Sequence, residues 1–419
     1  MALLCAIDIL PDDAIQSVVA LGELSLDGTL IPVIGALPAA MSAAEQNRGL
    51  LCPEASGAEA AWVGNTQVIA ASSLGAVVRH YTGQVPISPA DPGEVSAPRQ
   101  TKDLRDVKGQ ERAKRALEIA AAGRHHLMFV GTPGSGKSML AARLPSILPP
   151  LTPREALSTS MIHSLAGLLV EGGISRTRPF REPHHTASMA AIIGGGRQAK
   201  PGEVSLAHNG VLFMDEFPEF PRMVLETLRQ PVETGEVMIA RANAHVKYPC
   251  QFMLVAAANP CKCGYLSDPA RACSRAPACG EDYMARISGP LMDRFDLRVD
   301  VPPVAFTDLD LPCDGEGSSQ VAARVADARL TQEARFAQTP DAHLNADAEG
   351  DLLESIATPA PEARALLIRA AEQFHLSARG YHRVLRVART IADLDREKAV
   401  QKHHLAEALS FRIPASAIL

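Results

Sequence analysis

The chain predicts an α/β fold: a parallel sheet covered by helices, with a smaller α/β segment before it and an all-helical end after it. Three stretches carry that prediction. HLMFV (126–130) is an apolar strand running into the loop GTPGSGKS (131–138) and the helical MLAARL. VLFMDE (211–216) is an apolar run ending in two carboxylates, and FMLVAAAN (252–259) is another ending in a polar residue. Apolar strands alternating with helical stretches are the signature of a parallel sheet packed between helices.

From the start, residues 1–84 alternate short apolar runs with turns, as in GELSLDGTLIPVIGALPAAM, and read as a small α/β domain. VPISPADPGEVSAPRQ (85–100) holds four prolines and few bulky apolar residues, so 85–102 reads as a linker. Residues 103–310 carry the alternating strands and helices of the core. The polar break LPCDGEGSSQ (311–320) opens a helical domain over 311–419, where PAPEARALLIRAAEQF and SARGYHRVLRVARTIADL place apolar residues at helical spacing.

Composition excludes several classes. With 419 residues, 47% hydrophobic and 21% charged, the chain is long enough for two or three domains with cores of their own. A net charge of -6 argues against coating nucleic acid with the whole surface, but leaves room for a local basic pore or stripe. No apolar run reaches the roughly 18 residues of a membrane span. The start MALLCAIDILPDD has no basic n-region or long apolar h-region, so no secretory signal is expected and the cytoplasm is the expected compartment.

The loop and carboxylates point to hydrolysis of a nucleoside triphosphate. Strand, G-x-x-x-x-G-K-S and helix form the context in which that pattern binds phosphate. Gly131, Gly134 and Gly136 let backbone N–H groups converge, with Thr132, Pro133 and Ser135 completing the loop. Lys137 brings a point charge to the β- and γ-phosphates, and Ser138 a hydroxyl to Mg²⁺. Asp215 is expected in the Mg²⁺ shell and Glu216 to orient or deprotonate the attacking water; Asn259 could hold that water or the γ-phosphate.

Two sets of arginines complete the reading. In GPLMDRFDL, Arg294 is expected at a subunit edge as an arginine finger, or else in a surface ion pair with Asp293 or Asp296. Arg379, Arg383 and Arg386 share one helical face, which is unfavourable unless an anion meets them. Arg379 is chosen as the nucleotide sensor, with Arg383 in reserve and a solvated face as the other reading.

The motifs in this order resemble an AAA+ ATPase. DVKGQERAKRALEIAAAGRHHLMFVGTPGSGKSMLAARLPSILPPL, RPFREPHHTASMAAIIGGG, PGEVSLAHNGVLFMDEFPEF and RISGPLMDRFDL resemble the ComM/YifB family of magnesium-chelatase-like proteins. SARGYHRVLRVARTIADL is similar to that family's C-terminal helical lid. The resemblance implies an ATP- and Mg²⁺-dependent hexameric ring related to the MCM helicases and to the chelatase motor subunit. It implies DNA branch migration that helps homologous DNA integrate during natural transformation. It also implies that residues 1–84 are the second half of a Lon-protease-like domain. Pro38 stands where a catalytic lysine would be, so no peptidase is expected, and the chain reads as a fragment or as starting late.

DNA as the track fits two basic stretches. The insertion from Ser175 to Gly202 holds Arg176, Arg178, Arg181, His184, His185, Arg197 and Lys200 against only Glu182. GEVMIARANAHVKYP (235–249) reads as a hairpin. Arg197, Lys200, Arg241, His245 and Lys247 are the candidate phosphate contacts; few aromatics accompany them, so backbone tracking is expected over base stacking. A basic loop pairing with acidic neighbours is the other reading.

Four of eight cysteines, Cys261, Cys263, Cys273 and Cys279, crowd one polar, proline-rich loop. They suggest a structural Zn²⁺ held by four thiolates, with reduced thiols as the other reading. The C-x-C spacing is tight, and Cys279 departs from the spacing of related chains. Two rivals to a DNA motor remain open: a magnesium-chelatase-type motor that remodels a protein partner, sharing every ATP residue, and a scaffold whose ATP sets its assembly state.

Overall fold

The computed structural model describes residues 1–11, 13–96, 102–169, 172–196, 199–241, 244–266, 271–304, 315–339 and 342–412. The chain divides into two units, Met1–Pro98 with Pro150–Thr177, and Arg99–Pro149 with Arg178–Leu419. Among the described residues no helix is long and apolar enough to cross a membrane.

In the first unit the apolar runs Val18–Ala20, Gly49–Pro53 and Val68–Ala71 pair as a three-stranded parallel sheet in that order. Alternation divides its two faces. Leu50, Cys52 and Val68 pack with Ala36, Ala40 and Ala43 of helix Ala36–Glu45, whereas Leu51, Ile69 and Ala71 pack with Val77 of helix Leu74–Tyr81. Segment 150–177, expected in the core domain, belongs to this unit. Its helix Pro153–Leu165 opens with a Thr152–Glu155 capping box. Glu59 accepts from Leu37 N–H at 3.0 Å and from Ser164 Oγ, and Trp62 Nε1 donates to Gly172 O at 3.0 Å. Val95–Ser96, expected in the linker, instead pairs in parallel with Ile174–Ser175.

The second unit holds strands β1 (Leu127–Gly131), β2 (Phe180–Arg181), β3 (Val211–Met214), β4 (Met253–Ala258) and β5 (Leu297–Val301). They form one sheet in the order β5-β1-β4-β3-β2, every pair parallel. Every residue of β3 and β4 is buried, which is why both read as continuous apolar runs. Parallel pairing sends all five C-terminal ends to one edge, the edge where such sheets bind ligands. Because β4 lies between β1 and β3, the ends of the three motif-bearing strands are neighbours.

Helix α1 (Glu111–Gly123) precedes β1 and the short α2 (Lys137–Ala141) follows its loop. The helical end comprises α3 (Ser318–Phe336), α4 (Gly350–Ile356), α5 (Pro361–Gln373), α6 (Ala378–Leu394) and α7 (Lys402–Ser410). Its apolar residues Val321, Val325, Val384, Val387 and Ile391 share one core with Leu117, Phe129 and Leu297.

Glu236–Arg241 and Ala244–Pro249 pair antiparallel as the expected hairpin, with Met238 opposite Lys247 and Ala240 opposite His245. Val237, Ile239 and Tyr248 are buried, while Met238, His245 and Lys247 are exposed. Period-two alternation thus gives the hairpin one anchored and one open face.

Candidate nucleotide site

The loop after β1 needs its glycines for close approach. A Cβ on Gly131 would stand 2.2 Å from the Val301 carbonyl oxygen and 2.8 Å from Ser135 Oγ. Gly134 and Gly136 have φ of 77° and 94°, where side chains are disfavoured. Ser135 N–H donates to Thr132 O at 3.2 Å, and Pro133 is packed by Gly264 of the cysteine loop, where an added Cβ would lie 2.5 Å from the proline ring.

Lys137 is 8% exposed. Its Nζ donates to Gly131 O at 2.8 Å, Thr132 O at 2.9 Å and Asn259 Oδ1 at 3.2 Å. Burial lowers its pKa, and the charges of Asp215 and Glu216 oppose that shift. Ser138 Oγ donates to Asp215 Oδ2 at 2.5 Å. Glu216 sits in the left-handed region at φ 51°, and its N–H donates to Asp215 Oδ1 at 2.8 Å. Sequence neighbours of the loop are thereby joined to Asp215 and Asn259, 77 and 122 residues away.

The chemistry of this group is specific. The loop N–H groups and one cation suit phosphate oxygens, and a hydroxyl beside a carboxylate suits a hard octahedral cation such as Mg²⁺. Glu216 stands free of that pair, able to face a water.

Two neighbours were not singled out for the site by sequence reasoning. His185 Nδ1 lies 3.0 Å from Glu216 Oε2, and its ring is 4.2 Å from that of His184. Glu182, just past β2, has its carboxyl pKa raised by burial and then by the charge of Asp215. The REPHH stretch gave only a charge count, because no spacing rule connects the end of β2 to the end of β3.

The arginines find partners that the sequence did not suggest. Arg294 is 6% exposed and turned into its own chain. Its Nε donates to Arg229 O at 3.2 Å, one terminal nitrogen to Pro290 O at 2.6 Å, and the other to the Glu233 carboxylate. Neither aspartate considered as its partner holds it: Asp293 pairs with Arg412 at 3.1 Å and Asp296 with Arg383 at 2.6 Å. Burial alone would raise the Asp296 pKa, but Arg383, His125 and His126 outweigh it and hold the carboxyl well below its ordinary range. Arg386 donates to Ala348 O at 2.7 Å and pairs with Glu349 at 3.0 Å. The anions expected to meet this face are therefore largely the protein's own. Arg379 alone of the three is open, 70% exposed, with Glu233 at 3.8 Å.

The basic insertion is likewise mostly engaged. Arg176 donates to Leu151 O, Arg178 to Pro149 O and Asn209 O, and Arg181 grips Glu203 through two bonds of 2.6 and 2.8 Å. Lys200 is exposed on a short strand pair with Gly194–Gly195. Arg197 lies outside the described residues, as does the side chain of Arg241, whose backbone pairs with Ala244. His245 and Lys247 share the open face of the hairpin, where Lys247 meets Glu236 at 2.6 Å.

Cys261 is buried, with its Sγ 3.0 Å from that of Cys263. Hydrogen bonds with Cys261, among others, lower the Cys263 thiol to about 7, while Cys273 first and then burial raise that of Cys279 to about 12. All four thiols interact, yet they are not closed into a tetrahedron. Among the described residues, the group of three ligand atoms mutually within 4.8 Å is instead Asp395, His403 and His404. Only one member of that group is held by a hydrogen bond: His404 Nδ1 accepts from Gln401 N–H at 3.0 Å, while its buried Nε2 lies 3.2 Å from Asp395 Oδ2 without forming one.

The family described as magnesium chelatase, subunit ChlI, matches residues 103–309, its C-terminal region matches 315–412, and a further ChlI region matches 1–56. The chain is 41% identical to competence protein ComM of Haemophilus influenzae over 418 residues, 98% of this chain and 81% of that protein. It is 38% identical to the uncharacterized protein YifB of Salmonella typhimurium over 413 residues, 98% and 80% of the two chains. The magnesium-chelatase 38 kDa subunit of Rhodobacter capsulatus is more distant, 26% identical over 171 residues, 37% and 49% of the two chains. Near-complete coverage at this identity makes the chain a member of the ComM/YifB family of magnesium-chelatase-like AAA+ ATPases.

Proposed function

We propose that the chain is an ATP-driven DNA motor of the cytoplasm, assembled as a hexameric ring and promoting branch migration during integration of homologous DNA. The observation that carries the ATPase half is the convergence of Ser138 on Asp215 and of Lys137 on Asn259 at one sheet edge. The DNA half is supported by similarity to a competence protein and by the exposed hairpin face that carries His245 and Lys247.

In this reading the loop amides and Lys137 hold the β- and γ-phosphates, and Ser138 and Asp215 would hold Mg²⁺, which supplies neutralisation of phosphate charge. Glu216 orients the attacking water, with His185 fixing its carboxylate and Asn259 completing the polar ring. Arg294 acts on the nucleotide of the adjoining subunit and Arg379 on its own, so turnover depends on assembly. Helices α3–α7 serve as the lid. The thiols of Cys261, Cys263, Cys273 and Cys279 would have to close into a tetrahedron to hold a structural Zn²⁺, which would then keep their loop against Pro133. His245 and Lys247, with Lys200, Arg197 and Arg241, track phosphates without reading bases.

The test is steady-state ATPase with and without single-stranded, duplex and four-way-junction DNA, with Glu216→Gln as the blank. Stimulation strongest on branched or single-stranded DNA is expected. Turnover indifferent to every DNA would favour the second reading, a chelatase-type motor acting on a protein partner. One observation leans that way: Arg176, Arg178 and Arg181 are engaged by carbonyls and by Glu203, which leaves less free positive charge than the sequence suggests.

A further inference from the structure

The Glu233 carboxylate lies between two arginines that the nucleotide reading requires. It accepts from Arg294, and its other oxygen stands 3.8 Å from an Arg379 terminal nitrogen. Arg229, on the same helix Arg229–Thr234, accepts from Arg294 Nε through its carbonyl. That helix holds Arg294 at two points.

The same helix is the root of the candidate DNA hairpin. It ends at Gly235, φ 66°, and the chain continues directly into strand Glu236–Arg241. Cys250 N–H donates to Gly235 O at 2.7 Å and closes the hairpin base on that turn. A displacement of the hairpin is thus transmitted to Glu233 with no intervening loop. On the other side, Phe295, next to Arg294, packs edge-on against Phe217, next to Glu216, with centroids 5.7 Å apart.

Exposure decides whether such a contact is fixed or exchangeable. Asp296, which holds Arg383, is buried and cannot exchange its partner without stranding a charge. The Glu233 side chain is 54% exposed while that of Arg294 is 8% exposed, so water can take over the carboxylate when the arginine leaves it, as it cannot for Asp296. A phosphate offers an arginine an equivalent charge-assisted partner, with up to two parallel hydrogen bonds.

We propose that Glu233 is a positioning residue that restrains Arg294, and secondarily Arg379, and releases them to nucleotide phosphate when the hairpin is engaged. It couples the track to hydrolysis. This rests on the reading of Arg294 as a residue that acts on nucleotide.

The test measures basal and DNA-stimulated ATPase of the full chain for wild type, Glu233→Gln, Arg294→Ala and the double variant, with melting temperature alongside. Glu233→Gln should raise basal turnover about five-fold, a factor equivalent to about 1 kcal/mol of lost restraint on Arg294. The ratio of stimulated to basal rate should fall toward one, the melting temperature should hold, and Glu233→Asp should restore restraint. The gain should vanish in the Arg294→Ala background. If Arg294→Ala alone keeps full turnover, the arginine-finger reading falls and the restraint with it. If Arg294→Ala is inactive but Glu233→Gln behaves as wild type, the restraint alone is overturned. Proportional loss of both rates with a lowered melting temperature would make Glu233 a structural support, which also overturns the proposal.

Discussion

At the end of β1, a lysine and a serine reach partners that are themselves suited to exchange: loop carbonyls, the Asn259 amide oxygen and the Asp215 carboxylate. Near the start of β5, Arg383 is instead tied to Asp296, a carboxylate sealed in the core. The residue types alone do not separate a working site from a structural one. The burial of the partner does, because an exposed anion releases its cation cheaply and a buried one does not.

The largest effect that sharpens this contrast is expected at Lys137. Lys137→Ala removes the one buried cation of the loop and should lower kcat/KM for ATP by roughly 10²–10³-fold, read by steady-state ATPase. A smaller loss would mean that the loop amides do the phosphate binding unaided.

Next comes the sealed pair. Arg383→Ala strands Asp296 and should cost about 3–5 kcal/mol of stability, whereas Arg379→Ala should stay within about 0.5 kcal/mol. Urea denaturation measures both, and equal costs would break the distinction drawn from burial.

The same pocket titrates. Burial, foremost, lowers the pKa values of His125 and His126 to about 4 from 6.5. The unfolded chain therefore takes up protons between pH 6.5 and 4 that the folded chain refuses. Stability from these groups is complete above pH 6.5 and declines as the pH falls toward 4. Melting temperatures at pH 7.5, 6 and 5 should fall in that order; a flat profile would mean the histidines are solvated.

The smallest effect belongs to the open hairpin face. Lys247→Ala should lower the slope of log binding constant against log salt by about 1 for duplex DNA, measured by fluorescence anisotropy. An unchanged slope would take Lys247 off the DNA path, leaving it as the partner of Glu236.

The sheet and loop were legible because their signals are local. β1, β3 and β4 are apolar runs ending in functional residues, and the spacing of GTPGSGKS prescribes its own conformation. The first unit's claim on 150–177 was not legible, since Thr152 and Glu155 announce a helix without naming what it packs on. The ion pair considered for Arg294 missed its partner for a related reason: Asp293 and Asp296 are close in sequence, while Glu233 is 61 residues away. The charge of the basic insertion was counted correctly, but the carbonyls that absorb Arg176 and Arg178 carry no sequence signature.

By itself, then, the amino-acid order determined where the strands and the phosphate loop lie and which carboxylates end β3. Those properties follow from burial periodicity and from glycine at positions where a side chain would clash or be strained. Only the tertiary structure decided that Ser138 meets Asp215, that Lys137 meets Asn259, and that one exposed carboxylate, Glu233, stands between Arg294 and Arg379. Ion pairs between distant segments depend on which elements the fold makes adjacent, and on how much water remains around them when it does.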